Sequence, residues 1–163
     1  MNTVVEIIDP TLIAAQKSFD NNQPRQARIQ LQHVLRDRKV SALNQKELRF
    51  YQALNTRLER RENDLKKTLT KANDQLKSAD FNRVERSISR AKKLGARPAD
   101  YQQIQAKLDR ARAALKRARR FYAKADCRRT LSSLQPILSV SPHSKRVAKL
   151  VNACRQALPP QRL

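Results

Sequence analysis

The feature that most constrains the fold of this 163-residue chain is that it contains a single glycine. The tight turns that join β-strands usually need glycine, because glycine readily adopts the positive φ angles that other residues avoid. The sequence is instead rich in alanine, leucine, arginine, lysine and glutamine, which favour helices. Aromatic residues make up only 4% and tryptophan is absent, so we expect an aliphatic core. These features predict an all-α fold.

Capping residues, prolines and the glycine mark where the helices begin and end. Asp9 directly precedes Pro10, as is typical of a helix start, and Gly95 follows a basic turn, as is typical of a helix end. We expect Pro142 to open a new element and Pro136 to kink a helix, because proline lacks a backbone N–H. With the apolar periodicity, these signals predict seven helices, at about 10–20, 24–38, 43–79, 81–94, 98–125, 127–139 and 143–157.

Two of the predicted helices are long, and each carries an apolar seam whose residues are spaced by three or four. In the helix at 98–125 the seam is unbroken and consists of Tyr101, Ile104, Leu108, Ala111, Leu115, Ala118, Tyr122 and Ala125. In the helix at 43–79, Arg61 interrupts the seam. Coiled-coil pairing also uses such seams, but the short helices between the long ones supply nearer partners. We therefore expect the long helices to pack within the chain.

An internal repeat becomes visible when the segments that start at Ala15, Ala72 and Ala118 are aligned without gaps. The starts are separated by 72 − 15 = 57 and 118 − 72 = 46 residues. Five positions correspond across the three copies, at offsets of 4, 8, 12, 16 and 19 from the starting alanine. In that order they are Phe19, Leu76 and Tyr122; Gln23, Asp80 and Asp126; Ala27, Val84 and Thr130; Leu31, Ile88 and Leu134; and Val34, Ala91 and Ile137. The match covers two helices and the turn between them.

The third copy resembles the tetratricopeptide repeat (TPR). The residues that carry the resemblance are Ala118, Phe121, Tyr122, Ala125, Asp126, Thr130, Leu134, Ile137 and Pro142. The usual spacing in that family is 34 residues, so the longer spacing here implies lengthened helices that serve two pairs each. The resemblance implies a TPR-like α-solenoid or irregular bundle in one helical-repeat domain over residues 1–163. Its pairs would lie at about 11–38, 68–94 and 114–139, followed by a final helix at 143–157, and it would act as a scaffold for protein–protein contacts.

The second strong feature of the chain is its charge. It contains 36 lysine and arginine residues against 14 aspartate and glutamate residues, a formal net charge of +22 at pH 7. Such an excess repels itself and goes well beyond what solubility requires, so we expect an anionic partner. Charge alone leaves several partners open: nucleic acid, an acidic protein, an acidic polysaccharide and an anionic membrane.

The excess charge is concentrated between Arg83 and Arg129, where 16 basic and 4 acidic residues leave a net charge of +12. Basic residues form one stripe on helix 81–94 and flank the apolar seam of helix 98–125. Arg112, Lys116 and Arg120 are spaced by four residues, and like charges at that spacing destabilise a helix. This cost favours a functional role for the basic residues. Antiparallel packing would join the stripes into a basic ridge. The expected binding residues are Arg83, Arg86, Arg90, Lys93, Lys107, Arg110, Arg112, Lys116, Arg117, Arg119, Arg120, Lys124, Arg128 and Arg129.

The two cysteines fall at positions that antiparallel helices would bring together. Cys127 opens the sixth predicted helix and Cys154 lies late in the seventh. We expect a disulfide between them, which favours a periplasmic or other extracytoplasmic location, although two buried thiols in a cytoplasmic protein are the alternative. No apolar run reaches the length of a membrane span, and residues 1–9 do not have the pattern of a signal peptide.

The sequence offers little for catalysis. His33 and His143 are far apart, no His, Cys and Asp residues have metal-ligand spacing, and one glycine cannot form a glycine-rich phosphate loop. We therefore expect no enzymatic activity, no cofactor, no metal and no small-molecule substrate.

The expected function is binding of an acidic macromolecule through the basic ridge. An acidic protein or peptide is favoured, because the resemblance is to a scaffold family. The alternative is a nucleic-acid binder. Such binding would have little sequence preference, because the sequence has no zinc-finger spacing and no aromatic platform for base stacking. A second alternative is a structural spacer of a larger bacterial envelope protein, whose charge favours nearby anionic lipid or polysaccharide.

Overall fold

Seven helices form the secondary structure of the computed structural model, which describes residues 8–37 and 42–158. The helices are α1 (Pro10–Asp20), α2 (Pro24–Asp37), α3 (Gln45–Lys77), α4 (Phe81–Lys93), α5 (Pro98–Tyr122), α6 (Cys127–Val140) and α7 (Lys145–Ala157). No strand occurs among the described residues. This confirms the all-α prediction, the number of helices and the two long helices. The N-terminal segment 1–7 and the predicted end of the second helix at residue 38 lie outside the described residues.

The helix starts follow the capping signals of the sequence, with one correction. Asp9 caps α1, because its Oδ1 accepts a hydrogen bond from the Thr11 N–H at 2.7 Å. Pro142 does not open the last helix, because Ser144 caps α7, its Oγ accepting from the Val147 N–H at 3.3 Å. Helix α6 continues through Pro136 to Val140.

Three of the turns between helices have the same backbone geometry. Asn22, Ala79 and Ala125 adopt φ angles of 63°, 55° and 53°, and each lies seven residues after the alanine that starts its copy of the repeat. In each turn the next residue donates its N–H to the carbonyl five residues before it. These bonds are Gln23 to Ser18 at 2.9 Å, Asp80 to Gln75 at 3.0 Å and Asp126 to Phe121 at 3.0 Å. They form the Schellman motif, which satisfies carbonyls at a helix end.

The contacts within the chain divide it into two compact units. Unit 1 comprises residues 8–37, 42–67 and 92–95, and unit 2 comprises residues 68–91 and 96–158. The core of unit 1 is formed by Leu12, Ala15, Ala27, Leu31, Val34, Leu43, Leu54 and Leu58. The core of unit 2 contains the buried apolar residues of α3 from Ala72 onward, of α4, α5 and α6, and Val147 and Val151 of α7.

The third copy of the repeat differs from expectation at its aromatic position. Thr130, Leu134 and Ile137 of α6 are fully buried, as expected of core residues. Tyr122, which was expected on the apolar seam of α5, is 44% exposed, because α5 ends at this residue and the chain turns away. Ala125, also expected on the seam, lies in the turn.

Candidate polyanion-binding surface

The basic residues of unit 2 lie almost entirely at its surface. Those that are exposed between Arg83 and Arg129 are Arg83, Arg86, Arg90, Lys107, Arg110, Lys116, Arg117, Arg119, Arg120, Lys124, Arg128 and Arg129, with Arg97 at the start of α5. We call the first twelve the basic surface. Of the remaining predicted ridge residues, Arg112 is only half-buried and Lys93 is exposed but belongs to unit 1. Lys93 is therefore not part of the basic surface.

Few of these charges are neutralised within the chain. Arg83 and Arg129 each pair with the aspartate at the start of their own helix, at 3.2 Å from Asp80 and 3.5 Å from Asp126. Within the described part of the chain, no carboxylate pairs with the other ten, Arg86, Arg90, Lys107, Arg110, Lys116, Arg117, Arg119, Arg120, Lys124 and Arg128. A group of unpaired cations attracts anions from solution, and the attraction weakens as salt screens it.

Arg112 joins helices α4 and α5. Its guanidinium forms an ion pair with Glu85 and donates a second hydrogen bond to Asn82 Oδ1 at 3.4 Å. The hydrogen bond from Arg112 holds the pKa of Glu85 below its usual range, and that of Arg112 is raised by the same bond. Arg112 therefore positions α5 against the first turn of α4, and we assign it a structural part in the surface.

Three helices of unit 2 begin with basic rather than acidic residues. No acidic residue lies in the first turn of α4, α6 or α7, whereas Arg83, Arg128 and Lys145 do. The N-terminus of a helix carries a partial positive charge, so a cation there is unfavourable by roughly 0.3–1 kcal/mol unless an anion is nearby. The aspartates that precede α4 and α6 offset this cost in part. The arrangement favours an anion bound from outside.

Two adjoining cavities in unit 2 meet at Phe81, Arg112, Leu115 and Arg119, which line both of them. One cavity, of about 470 Å³, is completed by Lys116, Arg120 and Ala123 of α5 and the turn that follows it. The other, of about 600 Å³, is completed by the turn between α3 and α4 and by residues 143–146 at the start of α7. We call the two together the α5 groove. It combines an apolar floor, Phe81 and Leu115, with basic side chains at its edges.

The sequence-based prediction missed the part of this groove that α7 contributes. His143, Lys145 and Arg146 line it and are exposed, but they lie beyond the segment in which the charge is concentrated. A signal for them exists in the sequence, because Ser144 is a good capping residue and the two residues after it are basic. Their position beside α4 and α5 depends on tertiary packing, which periodicity does not predict.

The structure brings Cys127 and Cys154 near each other, but not to disulfide distance. Both are buried free thiols. The pKa of the Cys154 thiol is raised to about 11, mainly by burial and secondly by the neighbouring Cys127. A raised pKa means that the neutral thiol is favoured in the folded protein, and this contribution to stability is lost as pH rises from the unfolded value, roughly 8.5, towards 11.

We expect Cys154 to react slowly with iodoacetamide in the folded protein. At pH 8 its alkylation should be at least about 100-fold slower than in denaturant, because only the thiolate is nucleophilic. The rate should keep rising with pH up to about 11. Mass spectrometry of a time course measures this, and peptide mapping of the labelled chain assigns the signal to Cys154. Equal rates in the folded and unfolded chain would contradict the burial of this thiol.

Other site chemistry is sparse in the described residues. No group of three or more His, Cys, Asp and Glu residues there has an arrangement that holds a metal ion. His33 and His143 are both exposed. None of the described helices has the length and apolar character needed to cross a membrane.

Comparisons of the chain with protein-family models, with curated protein sequences and with solved structures found no significant match.

Proposed function

We propose that this chain is a non-catalytic, TPR-like binding module that engages an acidic protein or peptide through the basic surface of unit 2. One observation carries the proposal: ten exposed arginine and lysine side chains of this surface pair with no carboxylate among the described residues. Nine of them lie on α4, α5 and α6, whose buried faces pack against one core, and Lys124 lies in the turn after α5, so the cations are presented in a fixed arrangement. An acidic partner would supply the missing countercharge.

Arginine dominates this surface, and it favours partners with planar or branched oxyanions. Its guanidinium donates up to five hydrogen bonds in a rigid fork that matches a carboxylate or a phosphate. Seven of the ten unpaired residues are arginines, namely Arg86, Arg90, Arg110, Arg117, Arg119, Arg120 and Arg128. Glutamate and aspartate side chains of a partner are the ligands that we propose.

A second candidate function is binding of nucleic acid with little sequence preference. The observation that favours it is Tyr122, which is 44% exposed and lies one turn beyond Arg119 on α5. An exposed aromatic ring next to cations is an arrangement on which an unpaired base can stack. One such ring is a small platform, so this candidate ranks second.

The test is binding across a salt series of an acidic peptide, duplex and single-stranded DNA and RNA, and heparin. We expect Arg86, Arg117, Arg119 and Arg120, changed together to Gln, to weaken binding of the acidic peptide by about tenfold or more. The matched control removes four exposed charges from unit 1, at Arg36, Lys46, Arg49 and Arg60. Fluorescence anisotropy measures both.

The outcomes separate the candidates. Equal losses in the two quadruple variants would show that net charge alone governs binding and would contradict the proposed surface. Tighter binding of nucleic acid than of heparin, with a steep dependence of log affinity on log salt, would select the second candidate. No binding of any polyanion at physiological salt would leave a structural spacer as the better account.

We also propose that Cys127 and Cys154 form a disulfide in an oxidising compartment. Both thiols are buried and near each other, so a small shift of the start of α6 or the end of α7 would join them. Glutathione disulfide is a suitable oxidant for the test. The two thiols lose two hydrogen atoms to glutathione disulfide, which is reduced to two glutathione thiols, so the intact mass after refolding should be lower than that of the reduced chain by two hydrogen atoms. Two free thiols after that treatment would contradict the proposal.

A further inference from the structure

The α5 groove differs from the rest of the basic surface in having an apolar floor. Phe81 and Leu115 are each 9% exposed and line both cavities of the groove. Ala123, which is exposed, continues this floor along the end of α5. A site for point charges alone would not need apolar side chains, whereas a site for a peptide side chain would.

Cations from two helices line the groove together with these apolar residues. Arg119 and Arg120 extend from α5, and Lys145 and Arg146 extend from the first turn of α7. Within the described part of the chain, none of these four pairs with a carboxylate. The amino-terminal end of α7 adds its partial positive charge to the same side.

The carboxylate of Asp80 also lines the groove, and it restricts which polyanion fits there. Asp80 forms an ion pair with Arg83 at 3.2 Å, and Arg112 of the groove is paired with Glu85, which lies outside the groove lining. A nucleic-acid backbone has a charge on every residue and would place phosphates against Asp80. A peptide can place acidic side chains beside the cations and apolar or neutral side chains elsewhere. Such a peptide matches the mixture of basic, apolar and acidic side chains that line the groove.

We propose that the α5 groove binds an acidic peptide segment by an apolar side chain seated on Phe81 and Leu115, with carboxylates on either side held by Arg119 and Arg146. The inference rests on the proposed function, which it deepens by giving the partner a motif: one bulky apolar residue flanked by glutamate or aspartate. The apolar contact supplies selectivity, and the charges supply the rate and the salt dependence of association.

Matched variants of the full chain test the groove. Arg119→Gln with Arg146→Gln removes two charges from its edges, whereas Arg86→Gln with Arg117→Gln removes two exposed charges elsewhere in unit 2. The probes are a labelled peptide with leucine between glutamates, the same peptide with serine in place of leucine, and a single-stranded oligonucleotide of equal charge. Circular dichroism of each variant checks that it is folded.

We expect the groove variant to weaken binding of the leucine peptide by about tenfold or more, and the matched variant by less than about threefold. We expect the serine peptide to bind the wild-type chain several-fold more weakly than the leucine peptide. Backbone amide shifts on titration should centre on α4 and α7 at the groove.

The opposite results would contradict the groove, its occupant or the proposed function. Equal losses in the two double variants, or equal binding of the leucine and serine peptides, would overturn the groove while leaving the proposed surface in place. Tighter binding of the oligonucleotide that depends on Arg119 and Arg146 would overturn the peptide as occupant. If the wild-type chain binds neither peptide at physiological salt, the proposed function itself fails.

Discussion

Gly95→Ala is expected to destabilise the protein by about 2–4 kcal/mol, which would lower its melting temperature by roughly 5–15 °C. Gly95 ends α4 with a φ of +88°, a conformation that costs alanine roughly 1 kcal/mol or more. A Cβ at this position would also lie 2.7 Å from both Cδ and Cγ of Pro24, the buried first residue of α2. Because the contact is with a rigid ring, it cannot be relieved by rotating a side chain.

The reverse substitution in an equivalent turn provides the control. Ala125 has a φ of 53° and is exposed, so Ala125→Gly relieves strain without leaving a cavity. We expect it to raise stability by about 0.5–1 kcal/mol. Urea unfolding followed by circular dichroism measures both variants. A Gly95→Ala variant within about 0.5 kcal/mol of wild type would contradict the close approach of Pro24.

Arg61→Met is expected to destabilise unit 1 by about 2–4 kcal/mol, because it removes a charged cap from the end of α4. The Arg61 Nε donates to the Leu94 carbonyl at 3.0 Å and its Nη2 donates to the Lys93 carbonyl at 3.1 Å. The same Nη2 donates to Asn22 Oδ1, and the guanidinium lies 5.2 Å from the centre of the Phe19 ring. One side chain therefore joins three segments of unit 1.

Arg60→Met serves as the control for this prediction, since Arg60 is the exposed neighbour of Arg61 on the same helix and loses the same charge. We expect Arg60→Met to change stability by less than about 0.5 kcal/mol. Arg61→Lys should recover only part of the loss, because an ammonium group cannot donate in the fork that reaches both carbonyls. Equal denaturation midpoints for the two methionine variants would show that Arg61 does not cap α4.

The helices were predictable because their signals are local. Asp9 and Pro10 mark the start of α1, and Gly95 marks the end of α4, through short-range backbone preferences. The apolar seam of α5 from Ile104 to Ala118 is buried as its spacing predicts. The apolar seam predicts a helix that extends to residue 125, which is too long. Helix α5 ends at Tyr122, because the chain turns at Ala125 although the apolar spacing continues to that residue.

The site was less predictable, because its parts come from separate helices. The charge density between Arg83 and Arg129 indicated the basic surface, since charge can be counted along a sequence. The α5 groove could not be predicted in this way, because Phe81, Leu115 and Arg146 meet only after α4, α5 and α7 have packed. Arg61 shows the same limit: the sequence marks it as an interruption of a seam, and only the fold supplies the carbonyls that it caps.

Under the proposed function, the basic first turns of α4, α6 and α7 would connect the stability of this protein to the concentration of the proposed acidic partner. The cations of these first turns that have no carboxylate partner, among them Arg128, Lys145 and Arg146, raise the free energy of the folded chain until an anion lies beside them. A ligand that binds only the folded state stabilises it by about 2.7 kcal/mol at roughly 100 times its dissociation constant. In a cell, the fraction of this chain that escapes unfolding and proteolysis would therefore rise and fall with the supply of the proposed acidic partner.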